Sequence, residues 1–116
     1  MTMNVKKIPL LLPYLEYAAS EETAYNSEYD PSKGVLHNHC GCIAYVIQTM
    51  CGGEQMGARK HIWNRIDGKE YDLTRPDLTP SIRGHKLPDR KTVNHRFKVF
   101  YDRVTNKLQE DPIDLS

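Results

Sequence analysis

The 116-residue chain has no excess of charge of either sign: 16 Lys and Arg stand against 15 Asp and Glu, a formal net charge of +1. It therefore carries no global field that would draw it to nucleic acid or to an anionic membrane, and no like-charge run long enough to act as an interaction tail. Long hydrophobic runs are missing as well. The longest apolar stretch, Ile8 to Leu12, falls far below the roughly 20 residues that span a bilayer. No small-residue cleavage site follows a proper apolar region, so no signal peptide is expected. Cysteine is scarce and odd in number, at three. Cys40 and Cys42 lie too close for a relaxed disulfide. These absences exclude a disulfide framework and point to a reducing, cytoplasmic setting. With no internal repeat and no low-complexity linker, residues 1–116 read as a single domain, able to bury roughly two thirds of its unfolded surface.

The periodicities that are present alternate in type. Leu11, Leu12, Leu15, Ala18 and Ala19 recur at helical spacing, with Pro13 tolerable in a first turn. Residues 21–36 are acidic and tyrosine-bearing and read as a long loop. From Cys42 to Met50, Ile43, Val46, Ile47 and Met50 make an i, i+3, i+4, i+7 stripe, and Gly52-Gly53 stop it as a left-handed cap would. Residues 75–91, with three prolines and Gly84, look irregular. A last helix is expected from about Thr92 to Leu108, carrying Phe97, Phe100, Tyr101, Val104 and Leu108 on one side. Its Lys98, Arg103 and Lys107 read as a solvated face.

Between these helices, KHIWNRIDGKEYDLT (residues 60–74) predicts a β-hairpin about Asp67-Gly68. Arg65 then lies opposite Glu70, a favourable cross-strand pair, Trp63 opposite Asp72, Ile62 opposite Leu73 and His61 opposite Thr74. One face carries Ile62, Ile66, Tyr71 and Leu73, with Asn64 as a structural hydrogen bonder. The other carries His61, Trp63, Arg65, Glu70, Asp72 and Thr74. A short strand from Glu54 to Ala58 extends the hairpin to a three-stranded antiparallel meander, and the whole is an α+β domain.

That register has a chemical consequence. Asp72 becomes the diagonal neighbour of His61 on one face, roughly 7–8 Å away at the backbone and within side-chain reach. A carboxylate on one imidazole nitrogen leaves the other free to serve a nucleophile. The nucleophile on offer is Cys40, in the crowded stretch HNHCGC (residues 37–42) at the start of a helix. There the free amides and the helix dipole favour a thiolate and can receive an oxyanion. Asn38 and His39 are the side-chain candidates for oxyanion or substrate contact, and Trp63 a candidate pocket floor.

Other readings exist. His37, His39, Cys40 and Cys42 offer a zinc or copper ligand set, though structural zinc usually combines two separated ligand pairs. A CxC redox pair lacks the intervening residues of CxxC. Cys42 and Cys51 read as core thiols, and His85 and His95 as solvated.

Three stretches together resemble the YunG family of small bacterial and phage-type proteins: SEETAY (residues 20–25), Cys40 with Gln48 and Gly52-Gly53 following, and HIWNRIDGKEYDLT (residues 61–74). The HRFKVFYDRV helix (residues 95–104) also resembles the helix that ends those proteins, so the likeness spans roughly residues 11–108. It implies a papain- or transglutaminase-like core with Cys40, His61 and Asp72 as the catalytic set. One departure is the residue before the cysteine, a glutamine in the expected pattern and His39 here. The expectation is a cytoplasmic thiol hydrolase or acyltransferase acting on a peptide, amide or protein, with no cofactor and no metal. The alternatives are a catalytically inactive protein-binding module of the same fold and a metal-binding protein built on HxHCxC.

Overall fold

The computed structural model describes residues 3–116. A 3-10 helix, Val5–Leu11, begins where the Asn4 side chain accepts the Lys6 amide at 3.0 Å, and leads into α1, Leu12–Ala18. Helix α2 is Cys40–Cys51 and α3 is His95–Glu110. The strands are β1 Glu54–Ala58, β2 His61–Ile66, β3 Lys69–Tyr71 and β4 His85–Lys86. They form one antiparallel sheet in the order β3-β2-β1-β4. A fourth strand, absent from the expected meander, thus comes from the proline-rich segment that reads as irregular. The Cα radius of gyration, 13.2 Å, is that of one compact body of this length, about 13 Å.

Helix α2 lies at the centre. Gly41, Cys42, Ile43, Ala44, Val46, Ile47 and Cys51 are all buried, because the sheet covers one side and α3 the other. It starts at Cys40, two residues before its apolar stripe, and ends at Gly52, whose φ of 81° and amide bond to the Gln48 carbonyl (2.9 Å) make a left-handed stop. Phe97, Phe100 and Val104 of α3 pack with Leu11, Leu15 and Ala18 of the N-terminal helices. Burying each large side chain contributes about 1.5–3 kcal/mol. Helix α3 begins at His95 rather than Thr92, because Asn94 caps it by accepting the Arg96 amide at 3.0 Å.

Both hairpins turn on two residues of positive φ, Arg59-Lys60 (50° and 65°) and Asp67-Gly68 (50° and 81°), the backbone of tight hairpin turns. The expected register of the second hairpin is present: Ile66 faces Lys69, Arg65 faces Glu70 and Asn64 faces Tyr71. Two details differ. The Arg65 guanidinium turns to Glu54 on the opposite neighbour (2.7 and 2.9 Å) rather than to Glu70. Pairing also stops at Tyr71, so Trp63, Ile62 and His61 have no ladder partners in β3.

The two sheet faces are both covered. On one, Asn64 is buried and donates to the Ala44 carbonyl of α2 at 3.0 Å, its expected structural role. On the other, Trp63 is 1 % exposed and donates from Nε1 to Glu70 Oε1 at 2.7 Å. Glu70 is therefore held by the indole, which is why Arg65 is free for Glu54. The chain before β4 crosses the indole at Gly84, where a Cβ would come within 2.5 Å of Trp63 Cη2. Only glycine permits that approach, so one tryptophan accounts for the ordering of a segment that lacks strand periodicity.

Candidate functional site

Cys40 opens α2 and is partly exposed, while Cys42, two residues on, is fully buried. His39 supplies no side-chain cap to the helix, so the first-turn amides stay near Cys40 without an internal partner. The Gly41 amide is close enough to stabilise the Cys40 sulfur.

His61 is the first residue of β2, and its Nε2–H donates to Asp72 Oδ2 at 2.6 Å. Asp72 stands just past β3 and not in the ladder. Its amide donates to the Leu78 carbonyl (3.0 Å), and its Oδ1 accepts the Thr74 amide (3.0 Å) and hydroxyl (2.6 Å). Both carboxylate oxygens are thus committed, and the acid is 2 % exposed. The diagonal neighbour relation expected from an unbroken hairpin is replaced by a turn at 72–78 that delivers the same carboxylate to the same ring.

The early end of β3 has a second effect. Ile66–Lys69 and Asn64–Tyr71 are the hydrogen-bonded pairs of this hairpin, so by alternation the Ile62 amide points toward the missing continuation of β3. It is unused by β1 as well, because Ile62–Gly57 is a non-hydrogen-bonded pair when Ala58–His61 closes the other hairpin. The freed amide is near enough to the Cys40 sulfur to help lower the thiol's pKa. A strand cut two residues short thus frees a backbone donor for the thiol.

These surroundings set the protonation states. Burial opposes ionisation of Cys40, but the His61 side chain, the Ile62 amide, the imidazolium charge and the Gly41 amide outweigh it and bring the thiol below its ordinary value. The hydrogen bond to Asp72, followed by that to Cys40, lifts His61 to about 10 against the opposing effect of burial. For Asp72 burial works upward, and the bonds to His61 and Thr74 prevail and hold it low. With Nε2 on Asp72, Nδ1 is the nitrogen left for the thiol. The arrangement favours a thiolate–imidazolium pair over two neutral groups, with a buried carboxylate steadying the ring.

Of the expected site residues, Cys40, His61 and Asp72 converge, Asn38 borders the same groove, and Trp63 and His39 turn away from it. Trp63 is buried behind His61, ring centroids 5.6 Å apart, and floors no pocket; the Gly84 segment shuts it from solvent. His39 is fully buried and points into the core, its Nδ1–H donating to the His37 carbonyl (2.7 Å) and its Nε2 accepting the Thr23 hydroxyl (2.7 Å). Burial, ahead of the charge of Arg96, lowers its pKa, so it is a neutral strut and contacts neither substrate nor oxyanion. Asn38 does line the groove, in a left-handed conformation (φ 58°), but its Nδ2 donates to the Glu28 carbonyl at 2.7 Å.

The metal reading fails on geometry. His37 Nδ1 accepts the Asp30 amide (3.1 Å), His39 faces Thr23, and the Cys42 thiol donates to the Thr23 carbonyl (3.3 Å). Among the described residues no three His, Cys, Asp or Glu side chains gather to hold an ion.

Several supports escaped sequence reasoning. The SEETAY stretch is a clamp on the start of α2: Ser20 and Thr23 hold His39, the Thr23 carbonyl receives Cys42 and Arg96 Nη1 (3.1 Å), and the Tyr25 amide donates to the Asn38 carbonyl (3.0 Å). Arg103 is no solvated residue, since it donates to the Ser20 hydroxyl (2.7 Å) and pairs with Glu22 (3.0 Å). Periodicity carries no trace of such loop-to-side-chain bonds.

Cys40 lies between two clefts, of about 480 and 660 Å³, that share Asn38, Cys40, Lys60 and His61. They read as two arms of one groove with the thiol at their junction.

The fold and site define an α+β protein in which a central helix presents a cysteine to a His–Asp pair at the truncated edge of a four-stranded sheet. A family model described as "YunG protein" matches residues 7–111, and the chain belongs to that family. No curated protein and no solved structure matches it. Among the described residues no helix is long and apolar enough to cross a membrane.

Proposed function

We propose that this chain is a thiol hydrolase or acyltransferase with a papain/transglutaminase-like core, acting on an amide of a peptide or protein. The observation that carries the reading is that Cys40 and His61 share one groove while the buried Asp72 holds the other side of the ring at 2.6 Å. That arrangement draws the thiol below its ordinary pKa and raises His61 to about 10. A shifted pair of titratable groups in a groove is the usual mark of a working nucleophile.

In the proposed reaction the Cys40 thiolate attacks the acyl carbon and forms a carbon–sulfur bond, while charge develops on the carbonyl oxygen. The uncapped first-turn amides of α2 are the donors for that charge. As the carbon–nitrogen bond breaks, the imidazolium gives its proton to the leaving amine. Water or an acceptor amine then attacks the thioester, His61 takes the proton released, and Cys40 leaves as thiolate. Asp72 holds the ring tautomer throughout. The balance of this sequence needs neither metal nor cofactor. The three free thiols, Cys40, Cys42 and Cys51, fit a cytoplasmic location.

The test is acylation by p-nitrophenyl acetate followed by intact-mass and peptide mapping. Acetyl transfer should fall on Cys40 alone, with release slowed in His61→Ala. Acetylation spread evenly over the cysteines, or none at all, would leave the fold as an inactive binding module.

A further inference from the structure

Although the chain is almost neutral, its charges are not evenly placed. The two arms of the groove are lined by five basic side chains, Lys33, Arg59, Lys60, Arg75 and Arg96, against two carboxylates, Glu16 and Glu28. Outside the groove eleven Lys and Arg remain against thirteen Asp and Glu, so the rest of the molecule is mildly acidic. The placement follows from the fold. Arg59 and Lys60 are the exposed tip of the β1–β2 turn, directly before His61, and form no ion pair among the described residues. Arg75 belongs to the turn that carries Asp72 and meets Asp77 only at 3.7 Å, leaving its buried Nε without a hydrogen-bond partner. Arg96 stacks on the Tyr25 and Phe97 rings and donates to the Thr23 carbonyl, and among the described residues it forms no ion pair.

From this we infer that the groove binds an acidic polypeptide segment, extended across Cys40 with carboxylate side chains on both sides of the reacting carbonyl. Two arms meeting at the thiol suit a chain that continues in both directions from the bond attacked. Lys60 borders both arms, so it meets carboxylates from either side. Cations that outnumber the carboxylates around a concave site attract anions, and steer them best at low ionic strength. The inference rests on the proposed thiol chemistry for its choice of a polypeptide over other polyanions.

Fluorescence anisotropy with the intact protein tests it without relying on turnover. Three labelled decapeptides of one backbone pattern would be used, bearing Glu, Gln or Lys at alternate positions. The Glu peptide should bind about tenfold or more tightly than the Gln peptide at 10 mM salt. The preference should shrink toward unity as the screening length falls from roughly 30 Å to about 8 Å at 150 mM. Arg59→Glu with Lys60→Glu should remove it, and the single charge-preserving Lys60→Arg should retain it, which separates charge from folding. Equal binding of Glu and Gln peptides overturns the inference, as does a Glu preference untouched by Arg59→Glu with Lys60→Glu. Tighter binding of a single-stranded oligonucleotide, lost in the same charge-reversed variant, overturns it in favour of nucleic acid. Failure of Cys40 acylation would instead count against the catalytic reading and leave these binding results standing on their own.

Discussion

The two sides of the first turn of α2 carry the same functional group in opposite states. Cys40 faces the groove, where His61, the Ile62 amide and the Gly41 amide draw its pKa down against burial. Cys42 faces the core, where burial pushes it up to about 12 despite the nearby Arg96 charge. Two residues of helix turn a side chain from one side of the axis to the other, and here that rotation separates a thiol whose pKa is drawn down from one whose pKa is pushed up. The lesson is that helix-start position alone does not activate a cysteine: both thiols share the dipole, and the donors arriving from the sheet edge make the difference.

The sharpest way to break this contrast is His61→Ala. Cys40 would return toward an ordinary thiol, with a thiolate fraction below about one per cent at pH 6. Its alkylation rate there should fall about 100-fold while Cys42 stays unreactive, as mass spectrometry of the modified peptides would reveal. Asp72→Asn should act less severely, lowering the Cys40 rate at pH 6 about tenfold through a weaker imidazolium, the effect of a rise of about one unit in the thiol pKa.

The same substitution has a signature in stability. His61 binds its proton more tightly folded than unfolded. Its contribution is thus fully present below about 6.5 and lost as pH climbs toward about 10. Asp72 is depressed below 3.8, so its contribution is present above that value and lost as pH falls. The gap in urea midpoint between the native protein and Asp72→Asn should therefore be widest from about pH 4 to 6.5 and close toward pH 10. A gap that widens with rising pH would contradict the assigned ion pair.

The core side of the contrast calls for smaller effects. Cys42→Ala should cost about 1–2 kcal/mol of stability, since it leaves a small void and removes one of the two donors to the Thr23 carbonyl, which keeps Arg96 Nη1, with the Cys40 alkylation profile unchanged. Thr23→Val removes the hydroxyl that His39 Nε2 accepts in the buried clamp and should cost about 1 kcal/mol or somewhat more, measured by thermal denaturation.

Much of this was legible in advance, for identifiable reasons. The α+β class, the central helix and the hairpin register follow from periodicity and from Asp67-Gly68, because local turn chemistry and apolar spacing dominate there. The nearness of His61 and Asp72 follows from that register, although the carboxylate arrives by a turn at 72–78 and not by continued strand pairing. Cys40 is singled out by its helix-start position and the family likeness. The Arg65–Glu70 facing pair was placed correctly while the ionic contact goes to Glu54, since register fixes which residues are opposite and not which side chains bond. What stayed hidden is long-range. Strand β4 has no alternation of its own and is held by β1 and by the packing of Gly84 on Trp63. The inward turn of His39 depends on Ser20 and Thr23, nineteen and sixteen residues away, and only the fold discloses it.

The most direct measurement is the rate of iodoacetamide alkylation at each cysteine from pH 4 to 10, in the native protein and in His61→Ala. Cys40 alone should react at a rate that has already levelled off well below the ordinary thiol pKa of about 8.5, and the plateau should vanish in the variant. A Cys40 profile that rises only near pH 8.5, alike in both proteins, would contradict the thiolate–imidazolium pair and with it the catalytic reading.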